Sequence, residues 1–290
     1  MFKNIADLVK QAEEQNKKIY ELMIEQEMEA TDCTKEEIIR TMAYNFKAMK
    51  NAAHEGIKGV VSSSGMTGND AKKLYDYLQS GKYITDKTFL TALCYAVGTN
   101  EVNASMGVIC ATPTAGSCGV LPAVMLAIQE KYNLSDETVI NHLFTAGAIG
   151  YVIANNASIS GAAGGCQAEV GSASAMAAAA ITEMMGGTPS QAAHAMAIAL
   201  KNMLGLSCDP VAGLVEVPCI KRNAAGASNA LTAAEMALAG IESRIPYDEV
   251  ISAMYQIGLA MPVSLKETAM GGLAATETGL LWKQKIMGED

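Results

Sequence analysis

The amino-acid sequence predicts a mostly α-helical protein, with residues 1–290 forming a single domain whose glycine-, serine- and proline-rich loops meet at one site. Three observations indicate this fold class. Apolar residues recur at helical spacing near the N-terminus, helix-start signals recur along the chain, and the two-residue alternation typical of strands is hard to find. Because half of the 290 residues are hydrophobic, the chain can bury a large core.

The first predicted element is an amphipathic helix from Asn4 to about Ala30, where apolar residues are spaced for one helix face among Glu, Gln and Lys. The pair Thr34 and Glu37 is typical of a capping box and predicts a second helix that continues to about Met49. We expect residues 1–55 to form an outer layer or an assembly arm of the same domain.

Further helices are predicted after Asp86, after Ser135, from Thr188 and after Pro246, each marked by an N-cap residue or an early proline. Four loops rich in Gly, Pro, Ser and Thr lie between and inside the helices. They span residues 62–70, 111–119, 158–166 and 205–213. Because no break in composition divides the chain, we expect these loops to converge on one site.

The composition disfavours several classes of protein. A net charge of −9 gives no attraction to phosphate backbones, so nucleic acid is not an expected partner. The N-terminus carries charge where a secretory signal needs a continuous apolar stretch, which predicts a cytoplasmic protein. The most apolar stretch, residues 143–163, is interrupted by Asn155, Asn156, Ser158 and Ser160, so a packed core helix is favoured over a membrane span.

Charged residues make up 18% of the chain, below the roughly 25% that is usual in globular domains. Little charge is therefore available to cover the surface of an isolated monomer. This composition predicts burial against another chain.

The seven cysteines, in a chain without a secretory signal, favour free thiols or a metal site over a disulfide framework. The sequence has no C-x-x-C pair, which disfavours zinc ribbons, thioredoxin-type sites and ferredoxin-type clusters. Cys166, Cys208 and Cys219 stand in turns bounded by glycine or proline, where thiolates lie beside backbone N–H groups. Such turns suit an iron–sulfur cluster. Spacing alone leaves open that all three are small buried hydrophobic residues.

Three sequence motifs are informative: residues 156–171 and residues 208–219, which contain these cysteines, and residues 270–274. They resemble the signatures of the iron–sulfur-dependent L-serine dehydratase α chain, with the cysteines 42 and 11 residues apart, and the resemblance extends from Ser62 to the C-terminus. It implies that Cys166, Cys208 and Cys219 hold a [4Fe-4S] cluster with one open iron. The implied reaction converts L-serine to pyruvate and ammonia, with the open iron as a Lewis acid for the hydroxyl while a base removes the Cα proton.

Eight hydroxyl and amide side chains of the loops are candidates to bind the carboxylate of the substrate. They are Ser62, Ser63, Ser64, Thr112, Thr114, Asn156, Ser158 and Ser160. The same residue types cap helices and close turns, so a structural role stays open for each of them. The other cysteines are predicted to be core or near-site thiols. These are Cys33, Cys94, Cys110 and Cys118.

The sequence does not identify the general base. The histidines lie in or directly after helical segments, in settings typical of packed or surface residues; they are His54, His142 and His194. Three cations are candidates to balance the charge of cluster or substrate, with a surface role as the alternative. They are Lys221, Arg222 and Lys266.

Single-chain members of the resembled family carry an additional N-terminal domain, and some end in a cysteine that can occupy the open iron. This chain begins near the α region and ends with residues 285–290, Lys-Ile-Met-Gly-Glu-Asp. We therefore expect the two-chain type, with a separate β chain and a higher oligomer. Two other functions stay open: an L-cysteine desulfidase, which eliminates sulfide instead of water, and a non-catalytic iron–sulfur sensor or scaffold.

Overall fold

The structure is a computed structural model that describes residues 2–288; Met1, Glu289 and Asp290 lie outside the described residues. Within residues 2–288 the chain is mostly helical, which confirms the predicted fold class. β-Pairing in this range is confined to two isolated bridges, Val61 with Gly68 and Cys208 with Lys266.

Thirteen α-helices follow one another in the described chain. They are α1 (Ile5–Glu14), α2 (Ile19–Thr31), α3 (Lys35–Gly56), α4 (Asp70–Gln79), α5 (Lys87–Ala104), α6 (Val120–Tyr132), α7 (Asp136–Asn156), α8 (Gly161–Gly164), α9 (Ser172–Met184), α10 (Pro189–Asn202), α11 (Cys219–Leu238), α12 (Tyr247–Ala260) and α13 (Glu277–Met287).

The single helix predicted from Asn4 to Ala30 is wrong, because the structure has two helices there. Asn16 adopts a left-handed backbone between them, with φ of 51°, a conformation that Asn accepts more readily than most residues. The break lets α1 pack on α10 and α12 while α2 packs on α7. Ile5 and Ile19 are both fully buried in the main core, so these helices supply core residues.

The core surrounds α9, in which all thirteen residues are buried. Helices α6, α7, α10 and α11 pack around it. Its alanine-rich sequence suits this position, because small side chains let neighbouring helix axes approach closely. Gly56 and Gly98 serve the same purpose where α3 crosses α5, since a Cβ atom on Gly56 would collide with the backbone of Gly98.

Most predicted helix starts are confirmed. Four cap side chains each accept the backbone N–H of the residue three positions later: Thr34 at 3.3 Å, Asp86 at 2.8 Å, Ser135 at 3.1 Å and Thr188 at 3.1 Å. Pro246 lies directly before α12. Residues 143–163 contribute to α7 and to the core, and none of the helices within residues 2–288 has the length and apolar character needed to cross a membrane.

Candidate metal site at the cysteine loops

The three predicted cluster cysteines come from three different segments. Cys166 begins a helical segment that passes through a π-helical turn, Gln167–Gly171, into α9. Cys208 lies in the loop after α10, and Cys219 is the first residue of α11. π-Helical turns are rare and occur often at functional sites.

The side chain of Gln167 fixes the first two of these segments against each other. Its amide nitrogen donates to the carbonyl of Met254 at 3.0 Å, and its amide oxygen accepts the N–H of Gly205 at 3.0 Å. The backbone N–H of Gln167 also donates to the carbonyl of Leu206 at 3.0 Å. Cys166 and the loop that carries Cys208 are therefore held together by a fully buried residue.

Cys166, Cys208 and Glu169 form a compact buried group whose potential ligand atoms all lie within 4.8 Å of one another. The thiol of Cys208 donates to Oε2 of Glu169 at 3.8 Å. Interaction with the thiol of Cys208 and the charge of Arg222 lower the pKa of Cys166, although burial opposes them. The same interaction with Cys166, together with burial, raises the pKa of Cys208, so Cys166 is the more readily ionised thiol of the pair.

Cys219 lies near this group and is also buried. Burial, followed by the charges of Cys166 and Glu169, raises the pKa of its thiol. Four residues later on α11, Asn223 donates to the carbonyls of Gly116 and Cys219 at 2.7 and 2.9 Å. The start of α11 is thereby attached to the loop of residues 111–119.

Arg222 lies one helical turn after Cys219 and points into the site. Its Nη1 donates to Sγ of Cys166 at 3.5 Å and to the carbonyl of Ser207 at 2.8 Å. Its Nη2 forms an ion pair with Oδ1 of Asp209 at 2.9 Å. Burial alone would lower the pKa of Arg222, but the charges of Cys166 and Asp209 outweigh this effect and raise the pKa.

The carboxylate of Glu169 connects the cysteines to a second predicted loop. Its Oε1 accepts the hydroxyl of Thr114 at 2.8 Å. Burial raises its pKa, and the charge of Glu267 contributes in the same direction. Gly161 lies so close that an added Cβ atom would collide with the Glu169 carboxylate. A glycine at this position leaves room for the carboxylate beside the thiols.

The loop of residues 62–70 is attached to the segment between Cys208 and Cys219 through Glu216, which is buried. The hydroxyls of Ser64 and Thr67 donate to Oε2 of Glu216 at 2.9 and 2.8 Å. At the end of the loop, Lys221 Nζ lies 2.5 Å from Oδ2 of Asp70. Hydrogen bonds and packing contacts therefore join the four predicted loops into one connected region.

Two of the substrate-binding candidates take part directly in the contacts that join these loops, and a third supports one of them. Ser64 and Thr114 donate to the buried carboxylates described above, and the hydroxyl of Ser62 lies 3.1 Å from that of Ser64. Ser63 is exposed on the same loop. The hydroxyl of Thr112 is buried and donates to the carbonyl of Cys118 at 3.4 Å.

The other candidates make local contacts. The amide of Asn156 donates to the carbonyls of Lys3 and Val152, both at 2.9 Å, which anchors the N-terminus to the end of α7. Ser158 accepts the N–H of Ser160 at 3.1 Å and closes a turn before α8.

The histidines hold positions within the helical packing. His54 packs its ring edge-to-face on Tyr95, Nδ1 of His142 lies 2.7 Å from the carbonyl of Thr138, and His194 accepts the N–H of Ser243 at 3.2 Å. Glu169 was not among the residues predicted for the site. The available signal was its position three residues after Cys166 in a glycine-bounded motif.

The remaining cysteines occupy varied settings. Cys33 is exposed, Cys110 is half-buried, and Cys94 and Cys118 are buried. Burial raises the pKa values of Cys94 and Cys118 to about 12. The amide of Asn100 donates to the sulfur of Cys118 at 3.5 Å, next to the loop of residues 111–119.

Comparison with known proteins assigns the family. The model of the serine dehydratase alpha chain family matches residues 14–274. The chain belongs to this family. The match begins well before Ser62, so the similarity includes helices α2 and α3 as well as the motif loops.

Several relatives of the family are similar over nearly the whole chain. The probable L-serine dehydratase alpha chain of Bacillus subtilis is 62% identical over 288 residues, covering 99% of this chain and 96% of the relative. The L-serine dehydratase alpha chain of Peptoniphilus asaccharolyticus is 46% identical over 290 residues, covering 100% and 99%. The L-serine dehydratase of Haemophilus influenzae is 37% identical over 281 residues, covering 94% of this chain but 61% of the relative. Some relatives therefore carry a substantial further region.

Proposed function

We propose that this chain is the catalytic subunit of an L-serine dehydratase that eliminates water from L-serine to give pyruvate and ammonia. The observation that carries the proposal is the buried group of Cys166, Glu169 and Cys208, with Cys219 beside it, in a member of the serine dehydratase alpha chain family. The relatives with alpha chain in their names act on L-serine according to those names.

The donor set fits a [4Fe-4S] cluster. Two thiols and a carboxylate face one another in a buried place, the buried thiol of Cys219 is close enough to sense their charges, and the nearby Arg222 is already paired with Asp209. Burial and mutual repulsion oppose the ionisation of these groups, and a bound metal would favour their ionised, ligating forms. We propose Cys166, Cys208 and Cys219 as the cluster ligands. A bound cluster with three protein ligands supplies an open iron, a Lewis acid for the hydroxyl of serine.

The side chains around the cysteines support a proposal for the rest of the reaction. We propose that the carboxylate of Glu169, which lies beside Cys208 and accepts the hydroxyl of Thr114, receives the Cα proton of the substrate. Ser62, Ser63, Ser64 and the other loop hydroxyls and amides remain the proposed substrate-binding residues. Elimination first gives aminoacrylate, which tautomerises and hydrolyses without further help from the protein.

We further propose that the chain acts as one domain in the cytoplasm with a separate β chain. The alpha chain names of its relatives imply such a partner, and the longer relatives carry a region beyond the part that this chain matches. The low charged fraction of 18% also favours burial of part of the surface in an assembly.

The proposal is tested with protein purified without oxygen and assayed for pyruvate formation from L-serine, with and without the β chain. Iron and acid-labile sulfide are measured in the wild type and in Cys166→Ser, Cys208→Ser and Cys219→Ser. We expect about four irons per chain in the wild type and a clear loss in each variant. Cys33→Ser, at an exposed position away from the site, is the matched control and should keep its iron.

Full iron content in Cys208→Ser would reject the ligand assignment. Faster elimination from L-cysteine than from L-serine would favour the desulfidase reaction instead. A wild-type protein that holds iron but turns over neither amino acid, even with the β chain, would favour a sensor or scaffold.

A further inference from the structure

The guanidinium of Arg222 is in direct contact with the cysteine group. It lies 3.5 Å from Sγ of Cys166 and is held from two other directions, by the carbonyl of Ser207 and by Asp209. Its side chain is 16% exposed and that of Asp209 is 5% exposed. A buried charge of this kind is costly unless it is paired and hydrogen-bonded, so its position is well determined.

Its partner Asp209 is itself fixed. Oδ2 of Asp209 accepts the backbone N–H of Leu273 at 2.8 Å. The neighbouring residue Gly272 has a φ of 58°, and a Cβ atom at this position would collide with the Asp209 carboxylate. Asp209 therefore holds the guanidinium at one place, and the planar fork of Arg presents a further N–H group towards the sulfur. Lys at this position would offer a point charge without the fork.

We propose that Arg222 is a positioning residue that sets the reduction potential of the cluster through its hydrogen bond and positive charge at Cys166. The inference rests on the proposed function, because it takes Cys166 as a ligand. Hydrogen bonds to cluster sulfurs and the local net charge are main determinants of iron–sulfur potentials. A cation and an N–H donor at the sulfur stabilise the more reduced, more negative cluster, and therefore raise its potential.

The adjacent residue Lys221 provides a matched control. It carries the same charge in the same turn of α11, but its side chain is 59% exposed and pairs with Asp70 at the end of the loop of residues 62–70. Lys221→Gln changes the net charge of the protein by the same amount as Arg222→Gln. A difference between these variants therefore reports the position of the charge.

The experiment is an anaerobic redox titration of the purified chain, followed by electron paramagnetic resonance, with iron content measured for every sample. The proteins are the wild type, Arg222→Gln, Arg222→Lys and Lys221→Gln. We expect a potential more negative than wild type in Arg222→Gln, a smaller shift in the same direction in Arg222→Lys, and no shift in Lys221→Gln. A merely structural role of Arg222 would change stability or iron content without this graded shift.

The outcomes separate the inference from the proposed function. A wild-type chain without iron and sulfide contradicts the proposed cluster, and the role of Arg222 falls with it. A wild type with a full cluster and an unchanged potential in both Arg222 variants overturns the Arg222 inference alone. If Arg222→Gln does not retain its iron, the comparison depends on Arg222→Lys, and a wild-type potential in that variant is then the contradicting result.

Discussion

Oε2 of Glu169 lies 3.8 Å from Sγ of Cys208, with both side chains buried. This contact places a carboxylate directly beside a proposed cluster ligand. The carboxylate comes from a π-helical turn and the sulfur from the loop after α10, so their meeting depends on the packing of distant segments. This position is the reason why we propose Glu169 as the proton acceptor, a role to which the sequence alone assigned no residue.

Replacing Glu169 by Gln removes this acceptor while keeping the shape of the side chain. We expect kcat for L-serine to fall by about 100-fold or more, as is typical when a group that transfers protons is lost. Iron content should stay near that of the wild type. The control is Glu235→Gln, which changes the charge equally at an exposed position on α11. Turnover within twofold of wild type in Glu169→Gln would assign the proton acceptor elsewhere.

The fold was largely predictable because its signals are local. Capping residues such as Thr34 and Thr188 mark helix starts through contacts only three residues long, and the structure places helices there. The break at Asn16 was missed because the apolar residues on either side were assigned to one helix, although residues 13–18 carry no apolar side chain. What separates α1 from α2 is the position of their packing partners, α10 and α7, which are distant in sequence.

The candidate site was predictable only in part, because it too depends on contacts between segments that are distant in sequence. The motifs indicated the loops that carry Cys166 and Cys208, and glycines and hydroxyls marked the loop of Thr114. The roles of Glu169, Glu216 and Asn223 depend on which loop each one meets in space. The sequence alone does not distinguish a Glu that lies beside a cysteine in the folded protein from a Glu on the surface.

The loop of residues 62–70 offers a stability prediction. Thr67→Val keeps the shape of the side chain but removes the hydroxyl that donates to buried Glu216 at 2.8 Å. An intramolecular hydrogen bond contributes about 0.5–1.5 kcal/mol net, so the free energy of unfolding should fall by about that amount. Amide hydrogen exchange in residues 61–69 should also become faster. Ser63→Ala, at an exposed position of the same loop, is the control, and identical exchange in the two variants would contradict the prediction.

The stability of the protein should decrease in mild acid because of His142. Burial lowers its pKa in the folded state, whereas an unfolded chain has a histidine pKa of about 6.5. As the pH falls through this value, the unfolded state takes up a proton that the folded state resists, so folding is disfavoured. The slope from one such group is at most about 1.4 kcal/mol per pH unit.

Unfolding curves between pH 5.5 and 7.5 test this, with His142→Gln expected to show a shallower loss of stability than the wild type. His54, whose pKa burial also lowers, should retain part of the slope, and the double variant should be flatter still. Equal slopes in wild type and His142→Gln would show that the acid sensitivity arises from other groups.

The isolated chain should hold its cluster yet turn over L-serine slowly until the β chain is added. The segment beside Cys208 exposes large apolar side chains: Val263, Met270 and Leu273 are 64%, 65% and 42% exposed. Apolar surface of this kind commonly marks an interface. The same segment contacts the cysteine loop through the bridge of Lys266 with Cys208, so a partner that covers it can exclude water and fix the substrate. If Glu169 is the proton acceptor, as proposed, the partner supplies closure of the site and no base.

Addition of the β chain should therefore raise kcat at least tenfold and leave iron per α chain unchanged, whereas serum albumin at equal mass should not raise kcat. If the purified α chain alone reaches the turnover of the mixture, the site is complete within these 290 residues and the partner has another role.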